Sequence, residues 1–477
     1  MKKTNLFAAA LLLPVLAGCQ SGAPAPAADI TDPPSDSSAE TTDDRPQIPP
    51  DTDYEGYEFR VIARGVGKWT CTDMYAEDAN GESLNDAVYA RNQYVEETLN
   101  INISQQLVDN DSTMLSSVRS SIMAGDDSFD LIWMGSQFIT KLSLDGLLAD
   151  MNSIPTLDLT NDWWDQKAYQ NLKIGDRIYM TTGDISVMGN YATYVISFNK
   201  TLHSEHKLED LYSLARDGKW TMDKFSELAR LVSGDLDGNG KYDENDLYGF
   251  MTYGSDYPGF MLASGGSFAK IEGENITTNY NNERVITMLT KLSELKSENC
   301  SYHFPNDEVA TKIFTEGRTL FSFRTLINLN FYRNMNTDYG ILPMPKYDEE
   351  QAEYYCGVHA YGLSLIGMPV TNTDYERTGT ILELMGWKSR EVLTPAFYET
   401  TLKGKYFRDD ESGEMLDIIF SSRVYDIGYY SNWGGLHTRL ESMSSNKSDN
   451  FASVFASIES SVDEAVTETI DAYKNIK

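Results

Sequence analysis

The residues whose types and spacing most clearly indicate chemistry lie in one twelve-residue stretch, 235–246. In chain order, its positions 1, 3, 5, 6, 7, 9 and 12 are Asp235, Asp237, Asn239, Gly240, Lys241, Asp243 and Asp246. The glycine allows a sharp turn, position 7 can offer its backbone carbonyl, and the others carry side-chain oxygens. A hard divalent cation takes six to eight oxygen ligands, so this spacing predicts a calcium-binding loop.

The loop departs from the usual pattern at its last position. Asp246 stands where a glutamate is usual, and its shorter side chain reaches a cation less easily with both oxygens. Residues 247–250 look extended, so we expect a lone loop rather than an EF-hand pair. Because extracellular calcium is abundant, we expect a structural role for the ion. The alternative is an acidic, glycine-rich turn that binds no metal.

Motifs for other kinds of site are sparse. His203 and His206 have a metal-like spacing but lack a third ligand, which favours surface histidines. Cys71, Cys300 and Cys356 permit one disulfide with one thiol left over, or three buried unpaired thiols. We find no nucleophile elbow, zinc motif or phosphate loop, and no context singles out a carboxylate pair for glycan hydrolysis. The sequence therefore favours binding over catalysis.

The composition limits the partners of the chain. It has 477 residues, of which 39 are Lys or Arg and 72 are Asp or Glu, so the net charge is −33. This excess of acid excludes the usual electrostatics of nucleic-acid binding and favours neutral or cationic ligands. The length predicts two or three globular units, and the hydrophobic content of 41% is enough to build their cores. The 29 Tyr and 7 Trp suit a surface that binds a neutral, hydroxylated ligand.

The N-terminus carries an export signal. Lys2 and Lys3 precede an apolar run over 6–16 that is too short to span a bilayer. The sequence 16–19, Leu-Ala-Gly-Cys, looks like a bacterial lipobox, which predicts a signal peptide over 1–18 and an acylated Cys19. A plain secretory cleavage site is the alternative. Residues 19–53 are rich in proline and polar residues and are predicted to be a disordered tether. We therefore expect a lipid-anchored protein on the extracytoplasmic face of a bacterial membrane.

The elements that must position any site alternate between strands and helices. Residues 57–63 and 100–103 read as strands, and 129–134 is a short apolar run typical of a buried parallel strand. Helical stripes occur between them, after Thr221, which is predicted to be an N-cap, and over 451–466. This order is the signature of an α/β fold.

Several segments together resemble the extracellular solute-binding proteins of ABC transporters, in the family 1 branch that mostly carries sugars and oligosaccharides. The resemblance covers the chain from about residue 54 to the end. It is carried by the lipobox and by segments whose order and spacing match, namely 129–133, 145–151, 195–200, 220–225, 314–321 and 339–345. Many members also carry a calcium loop after the helix that begins with Trp220 and Thr221.

The resemblance implies a two-lobed, type II periplasmic-binding-protein fold, each lobe a sheet flanked by helices, with a ligand cleft at the hinge. Lobe I is expected over 54–188 plus 356–390 and lobe II over 189–355 plus 391–477, with crossings near Gly189, Cys356 and Arg390. The resemblance also implies a monomer that closes on a carbohydrate and delivers it to the permease subunits of an ABC importer.

Candidate ligand-binding residues combine aromatic rings with polar groups, as a sugar requires. Ser136 and Gln137 follow a buried strand, where open α/β sheets place ligands. The full candidate set is Trp69, Ser136, Gln137, Asp184, Tyr191, Tyr257, Arg324 and Trp433. Arg324 stands where relatives often have an aromatic ring, which suggests a polar or acidic sugar group. For each aromatic residue, simple core packing is the alternative.

Three other functions stay open from the sequence. A surface glycan-capture lipoprotein would bind the same ligands without a transporter. A glycan hydrolase is the enzymatic alternative. A peptide- or metal-binding lipoprotein of the same architecture is less compatible with the length and with only five histidines.

Overall fold

The computed structural model describes residues 45–332, 335–398 and 409–475. The predicted signal peptide, Cys19 and most of the predicted tether lie outside these residues. The described end of the tether, 45–53, does not behave as a free linker. Ile48 packs against the hydrophobic core, and the guanidinium of Arg45 lies 5.6 Å from the ring of Tyr94 and 5.8 Å from that of Trp387. The prediction of disorder was therefore wrong for this end, because an apolar and a cationic side chain find partners on the fold.

A four-stranded sheet forms the first lobe, in the order β12-β3-β1-β2. Strand β1 pairs in parallel with β2 and β3, and β12 is antiparallel to β3. These strands are β1 (Tyr57–Arg64), β2 (Ile101–Val108), β3 (Leu131–Gly135) and β12 (Ser364–Gly367). The three strands predicted from the sequence are all present.

A five-stranded sheet forms the second lobe, in the order β10-β4-β9-β5-β8. Strand β5 is parallel to β8 and β9, whereas β4 is antiparallel to β9 and β10. The strands are β4 (Tyr194–Asn199), β5 (Tyr248–Thr252), β8 (Ser301–His303), β9 (Thr319–Thr325) and β10 (Tyr339–Leu342). Two small sheets pair β6 (Lys270–Glu272) with β7 (Asn275–Thr277) and β11 (Cys356–Gly357) with β13 (Arg423–Val424).

Helices cover both sheets, and the long α12 packs along α1 in the first lobe. In chain order they are α1 (Ser83–Leu99), α2 (Asp111–Ala124), α3 (Ser136–Leu144), α4 (Gln166–Leu172), α5 (Met188–Tyr191), α6 (Lys200–Glu205), α7 (Leu211–Arg216), α8 (Met222–Arg230), α9 (Asp256–Ala263), α10 (Glu283–Ser297), α11 (Asp307–Thr315), α12 (Tyr375–Pro395), α13 (Asp410–Ser421), α14 (Ile427–Ser431), α15 (Leu436–Ser445) and α16 (Phe451–Asn475).

Local sequence signals explain where several helices begin and end. The side chain of Asn110 accepts a hydrogen bond from the amide of Thr113 at the start of α2, and Gly125 ends that helix at φ 78°. Thr221 caps α8 by accepting from the amide of Lys224, as the sequence predicts. Arg390, expected near a crossing, lies inside α12, so the chain continues in a helix through that position.

The C-terminal helix α16 contacts both lobes. Near its start, the ring of Phe451 packs edge-on against Tyr257 of α9 at 5.1 Å. Near its end, Tyr473 is buried against Tyr179 of the first lobe, with ring centroids 4.8 Å apart. The guanidinium of Arg177 donates to the backbone carbonyl of Tyr473. The helix therefore joins the two lobes outside the crossing segments.

A buried ion pair joins three helices of the second lobe. The ammonium of Lys296, on α10, lies 2.7 Å from a carboxylate oxygen of Asp256 on α9, and both side chains are fully buried. The same ammonium donates to the side chain and the backbone carbonyl of Ser444 on α15. A buried charge that loses its partner is costly, so this pair constrains how the three helices pack.

Replacing Lys296 with alanine should destabilise the protein by about 3–5 kcal/mol, because Asp256 is left buried without its counter-ion. Lys291 on the same helix provides a matched control, because it pairs with Asp223 at 2.6 Å on the surface. The Lys291→Ala change should cost under about 1 kcal/mol. Urea denaturation of both variants measures the difference, and equal losses would contradict the structural role of the buried pair.

Candidate functional site

Two crossing segments, 189–193 and 356–363, lie side by side between the sheets. Thr193 forms an antiparallel bridge with Val358, and the amide of His359 donates to the carbonyl of Ala192 at 2.9 Å. Cys356 and Gly357, which form β11, pair in parallel with Arg423 and Val424 of β13. The crossing segments therefore form one connected backbone unit.

The strand ends of both lobes meet these crossing segments. From the first lobe, the amide of Ser136 donates to the carbonyl of Leu363 at 2.8 Å, and a guanidinium nitrogen of Arg64 donates to the carbonyl of Tyr361 at 2.7 Å. From the second lobe, the amide of Leu326, just after β9, donates to the carbonyl of Thr193. Carboxyl ends of strands are the usual place for ligands in open α/β sheets. We call the region between these strand ends the cleft.

A buried histidine occupies the centre of the cleft. The ring centroid of His359 lies 5.3–6.5 Å from four aromatic rings drawn from both lobes and the crossing, namely Trp69, Tyr194, Tyr253 and Tyr361. Its Nε2 is 3.3 Å from the hydroxyl of Ser255. Burial lowers the pKa of His359 to about 3. The imidazole is therefore neutral at physiological pH.

A carboxylate connects three elements beside this histidine. Glu441 on α15 accepts hydrogen bonds from the hydroxyls of Ser255 at 2.6 Å and Tyr361 at 3.0 Å. It also lies 3.3 Å from Nε2 of His437, one helical turn earlier. Burial alone would raise the pKa of Glu441, but the hydrogen bonds from His437 and Ser255 outweigh it and lower the value. Glu441 is therefore an ionised acceptor.

Polar contacts also join the two lobes across the cleft. The side-chain amide of Gln137, at the start of α3, is 3.3 Å from Nδ1 of His437. On the other side, the ammonium of Lys68, in the loop after β1, lies 2.5 Å from a carboxylate oxygen of Asp307 on α11. Arg324 at the end of β9 donates to the other oxygen of Asp307 at 2.8 Å. Burial would raise the pKa of Asp307, but Arg324 and Lys68 lower it.

A cavity of about 240 Å³ opens beside Lys68. It lies between the loop after β1 and the first crossing, and its lining includes Asp73, Met188, Tyr191, Ile327 and Asn330. The ring of Tyr191 packs edge-on against Phe397 at 5.0 Å. The cavity adjoins the contact between Lys68 and Asp307, so it provides space where the two lobes meet.

The structure brings five of the eight candidate ligand-binding residues to the cleft or its edge, namely Trp69, Ser136, Gln137, Tyr191 and Arg324. The Ser136 hydroxyl donates to the carbonyl of Ala360, so it orients the crossing. The half-buried Trp69 packs closely against Gly362, where an added Cβ would lie 2.6 Å from the indole. This contact and the ring of His359 fix the orientation of Trp69.

The other three candidates lie elsewhere. Tyr257 is fully buried in α9, between Phe451 and the ammonium of Lys296, which lies 4.5 Å from its ring centroid. Trp433 is 3% exposed and packs closely against Gly428. Both therefore have the packing role that the sequence left as the alternative. In the conformation described, neither offers a ring face to the cleft.

Asp184 lines a different cavity of about 240 Å³, together with Asp165 and Arg423. Its carboxylate accepts a hydrogen bond from the hydroxyl of Thr394 at 2.8 Å. Burial raises the pKa of Asp184 to about 6. This carboxylate is thus placed next to the first crossing but not between the strand ends that form the cleft.

Sequence reasoning missed the residues that form the centre of the cleft. They are Lys68, Tyr253, Ser255, Asp307, His359, Tyr361, His437 and Glu441. Tyr253 and Ser255 follow β5 directly, so the rule that selected Ser136 and Gln137 would have found them. His437 and Glu441 are four apart on a helix, but their helix joins the cleft only through tertiary packing, which the sequence does not signal.

The predicted calcium loop brings carboxylates together. Carboxylate oxygens of Asp235, Asp237 and Asp246 all lie within 4.8 Å of one another. Asp235 accepts hydrogen bonds from the amides of Gly238, Asn239 and Gly240. These bonds lower the pKa of Asp235, and the bond from Gly240 has the largest effect. The hard oxygen donors fit a divalent cation such as Ca²⁺.

Asn239, Lys241 and Asp243 complete the predicted loop. The side-chain oxygen of Asn239 accepts from the amide of Lys241 at 2.7 Å, and Asp243 accepts from the amide of Asn245 at 2.9 Å. Asp246 is fully buried. Strand β5 follows at Tyr248, as the extended pattern predicts.

The sequence also singled out the cysteines and the histidine His203. Among the described residues, Cys71, Cys300 and Cys356 are buried and unpaired, and burial raises the pKa of Cys300 and of Cys356 to about 11. His203 lies on α6 and its Nε2 is 2.8 Å from the carbonyl of Glu209. Within the described ranges, no helix is long and apolar enough to cross a membrane.

The sequence matches a known protein family. A family model described as "Bacterial extracellular solute-binding protein" matches residues 90–401. A search of the curated proteins finds no match.

Solved structures share the fold at low sequence identity. The cyclic α-maltosyl-1,6-maltose binding protein of Arthrobacter globiformis is 16% identical, with 88% of this chain and 100% of that chain covered at a TM-score of 0.56. The galacto-N-biose/lacto-N-biose I-binding protein of Bifidobacterium longum, in complex with lacto-N-biose, is 11% identical (87% and 98% covered, TM-score 0.57). UgpB of Mycobacterium tuberculosis, in complex with glycerophosphocholine, is 14% identical (87% and 98% covered, TM-score 0.58). The two-lobed α/β fold is thus confirmed.

The neutral His359 should make the stability of the protein depend on pH. An unfolded histidine titrates near about 6.5, so proton uptake by the unfolded chain destabilises the protein as the pH falls below that value. The folded pKa of about 3 means that this contribution is complete above pH 6.5 and is lost progressively toward pH 3. Between pH 7 and pH 5 it amounts to about 2 kcal/mol.

Urea denaturation at pH 7 and pH 5 checks this expectation. The His359→Gln variant should lose about 2 kcal/mol less than the wild type between the two pH values. His203→Gln, on a surface helix, is the matched control and should behave as the wild type does. If His359→Gln and the wild type lost equal stability, the histidine would not be held neutral.

Proposed function

The chain belongs to the bacterial extracellular solute-binding proteins, and we propose that it captures a sugar or oligosaccharide in the cleft and delivers it to an ABC importer. The observation that carries the proposal is the composition of the cleft. Rings of Trp69, Tyr253, Tyr361 and His359 surround hydrogen-bonding groups that both lobes contribute. Sugars need apolar faces for their C–H groups and paired donors and acceptors for their hydroxyls.

The carbohydrate complexes among the structural relatives support the same ligand class. Lacto-N-biose is bound by the protein from Bifidobacterium longum, and a cyclo/maltodextrin-binding protein was solved with maltotetraose. The glycerophosphocholine complex of UgpB shows that the fold also accepts other solutes. The aromatic content of the cleft favours a saccharide for this chain.

Closure of the two lobes is the proposed mechanism. We place lobe I at 54–188 plus 356–390 and lobe II at 189–355 plus 391–477, with rotation at the crossing segments. The contacts between Gln137 and His437 and between Lys68 and Asp307 then form when the lobes close. A hydroxylated ligand between the lobes would add its own hydrogen bonds to these contacts.

The proposed setting is the extracytoplasmic face of a bacterial membrane. Acylation of Cys19 would hold the protein at this membrane. The protein is proposed to be a monomer, and permease subunits would recognise its closed form. The family and its structural relatives are binding proteins, which favours capture and transfer over hydrolysis of the ligand. They also favour a transport component over a glycan-capture protein that lacks a transporter.

Calcium is proposed as a structural ion in the loop 235–246. Asp235, Asp237 and Asp246 would supply the central carboxylates, and Asn239, Lys241 and Asp243 the remaining oxygens. The loop begins just after the bridge between Gly234 and Leu247 and ends before β5. A bound ion would therefore hold the start of a strand that leads to Tyr253 and Ser255 in the cleft.

A panel of oligosaccharides should identify ligands through a rise in melting temperature, with no reducing ends released. A bound ligand should also reduce the radius of gyration in solution scattering, because the lobes close.

The Tyr361→Ala variant should bind the ligand about tenfold more weakly, since a ring contact of roughly 1–1.5 kcal/mol is lost. Tyr361 is 37% exposed, and Tyr75 at 39% exposed is a matched control outside the cleft. Cleavage of the ligand, or no response to any saccharide, would refute the proposal.

Calcium should raise the melting temperature by several degrees, and a chelator should reverse the rise, because the ion binds only the folded loop. Asp235→Asn keeps a hydrogen-bond acceptor but removes charge, so it should abolish the calcium effect. Asp217→Asn, at an exposed aspartate outside the loop, should retain it. Equal calcium responses in Asp235→Asn and the wild type would leave the metal-free acidic turn as the correct interpretation.

A further inference from the structure

One carboxylate in the cleft serves two cations. Asp307 lies 2.5 Å from the ammonium of Lys68 and 2.8 Å from the guanidinium of Arg324. The pKa of Lys68 is lowered first by burial; Asp307 raises it, and Arg324 lowers it further. Asp111 neutralises the nearby Arg64 at 2.7 Å, and Asp73 lies in the field of Arg91. The group formed by Lys68, Asp307 and Arg324 therefore carries one excess positive charge.

Arg324 is built into the protein but not fully bonded. Its side chain is 2% exposed, and its guanidinium lies over the rings of Phe304 and Tyr253, at 4.9 and 6.0 Å. Its Nη1 is buried and has no hydrogen-bond partner among the described residues. A buried guanidinium N–H without an acceptor is unfavourable, and it marks a position where an acceptor would be bound strongly.

The excess charge lies at the contact between the lobes. Lys68 belongs to the loop after β1 in the first lobe, whereas Asp307 and Arg324 belong to the second. Separation of the lobes would break the contact between Lys68 and Asp307 and would expose the group to solvent. The cavity of about 240 Å³ that Lys68 lines lies at the same contact. Of the three residues, only Lys68 lines this cavity, so a ligand group would reach Arg324 through the space that opens when Lys68 and Asp307 separate.

We infer that the cleft takes an acidic saccharide, whose carboxylate is bound by Lys68 and Arg324. This inference rests on the proposed function and names the ligand class for the same site. A uronic acid carboxylate has two acceptor oxygens, which suit one ammonium and one guanidinium N–H. It also neutralises the excess charge of the group. The net charge of −33 slows the approach of an anion, but the contacts at short range decide the affinity.

Isothermal titration calorimetry with matched saccharide pairs tests this inference. Suitable pairs are trigalacturonate with its carboxyl-reduced form, and xylotriose with and without a glucuronic acid branch. At least one acidic member should bind about 10–100-fold more tightly than its neutral partner, as expected for hydrogen bonds to charged groups. The preference should shrink as the salt concentration rises, because part of the attraction is screened.

Two variants separate recognition of the carboxylate from folding. Arg324→Gln should weaken binding of the acidic member about 10–100-fold and that of its neutral partner less than threefold. Lys68→Gln, at a partly exposed side chain, should shift the preference in the same direction. Arg230→Gln, which loses a surface pair with Glu298, should change neither.

The outcomes distinguish this inference from the function on which it rests. Binding of neutral members with no gain from the carboxylate would overturn the acidic ligand and leave the proposed function standing. An unchanged preference in Lys68→Gln would also overturn it. No binding of any saccharide would overturn both.

Discussion

The pairing of the two crossing segments is the constraint on which the cleft depends. The hydrogen bond from His359 to Ala192 and the bridge between Thr193 and Val358 fix one backbone unit between the sheets. Strand ends from both lobes attach to this unit through backbone hydrogen bonds. Because His359 is buried there among aromatic rings, it stays neutral and packs like an apolar group. Ser255 contacts the imidazole of His359 directly, and Glu441 contacts Ser255 in turn.

The polar groups around that centre satisfy one another across element boundaries. Glu441 accepts hydrogen bonds from Ser255 and Tyr361 and faces His437, so one carboxylate joins the segment between β5 and α9, the second crossing and α15. Buried carboxylates are stable only with such partners. The network makes the floor of the cleft rigid, whereas the contacts of Gln137 and Lys68 connect one lobe with the other. A connected network at the crossing segments, together with contacts between the lobes that can separate, suits a protein that closes around a solute.

The sequence predicted the fold well because strand and helix patterns are local. The strands β1, β2 and β3 of the first sheet, the cap at Thr221 and the rule for strand ends that gave Ser136 and Gln137 all depend on nearby residues. Tyr257 lies a few positions beyond Tyr253 and Ser255, inside α9, which begins at Asp256, and its ring packs against Phe451 of α16 rather than facing the cleft. His437, Glu441 and Asp307 could not be predicted, since distant packing alone brings their helices to the cleft.

The long final helix has a consequence for how the molecule can move. It is about 38 Å long, is rooted beside Tyr257 in the second lobe, and ends with Tyr473 buried against Tyr179 in the first. Because α16 contacts both lobes, rotation at the crossing segments must also accommodate this second connection between them. When the lobes open, either the chain rotates about the contact between Tyr473 and Tyr179 as a second hinge, or this contact breaks. The end of α16 is therefore a place outside the crossing segments where a change in packing would alter how easily the lobes open.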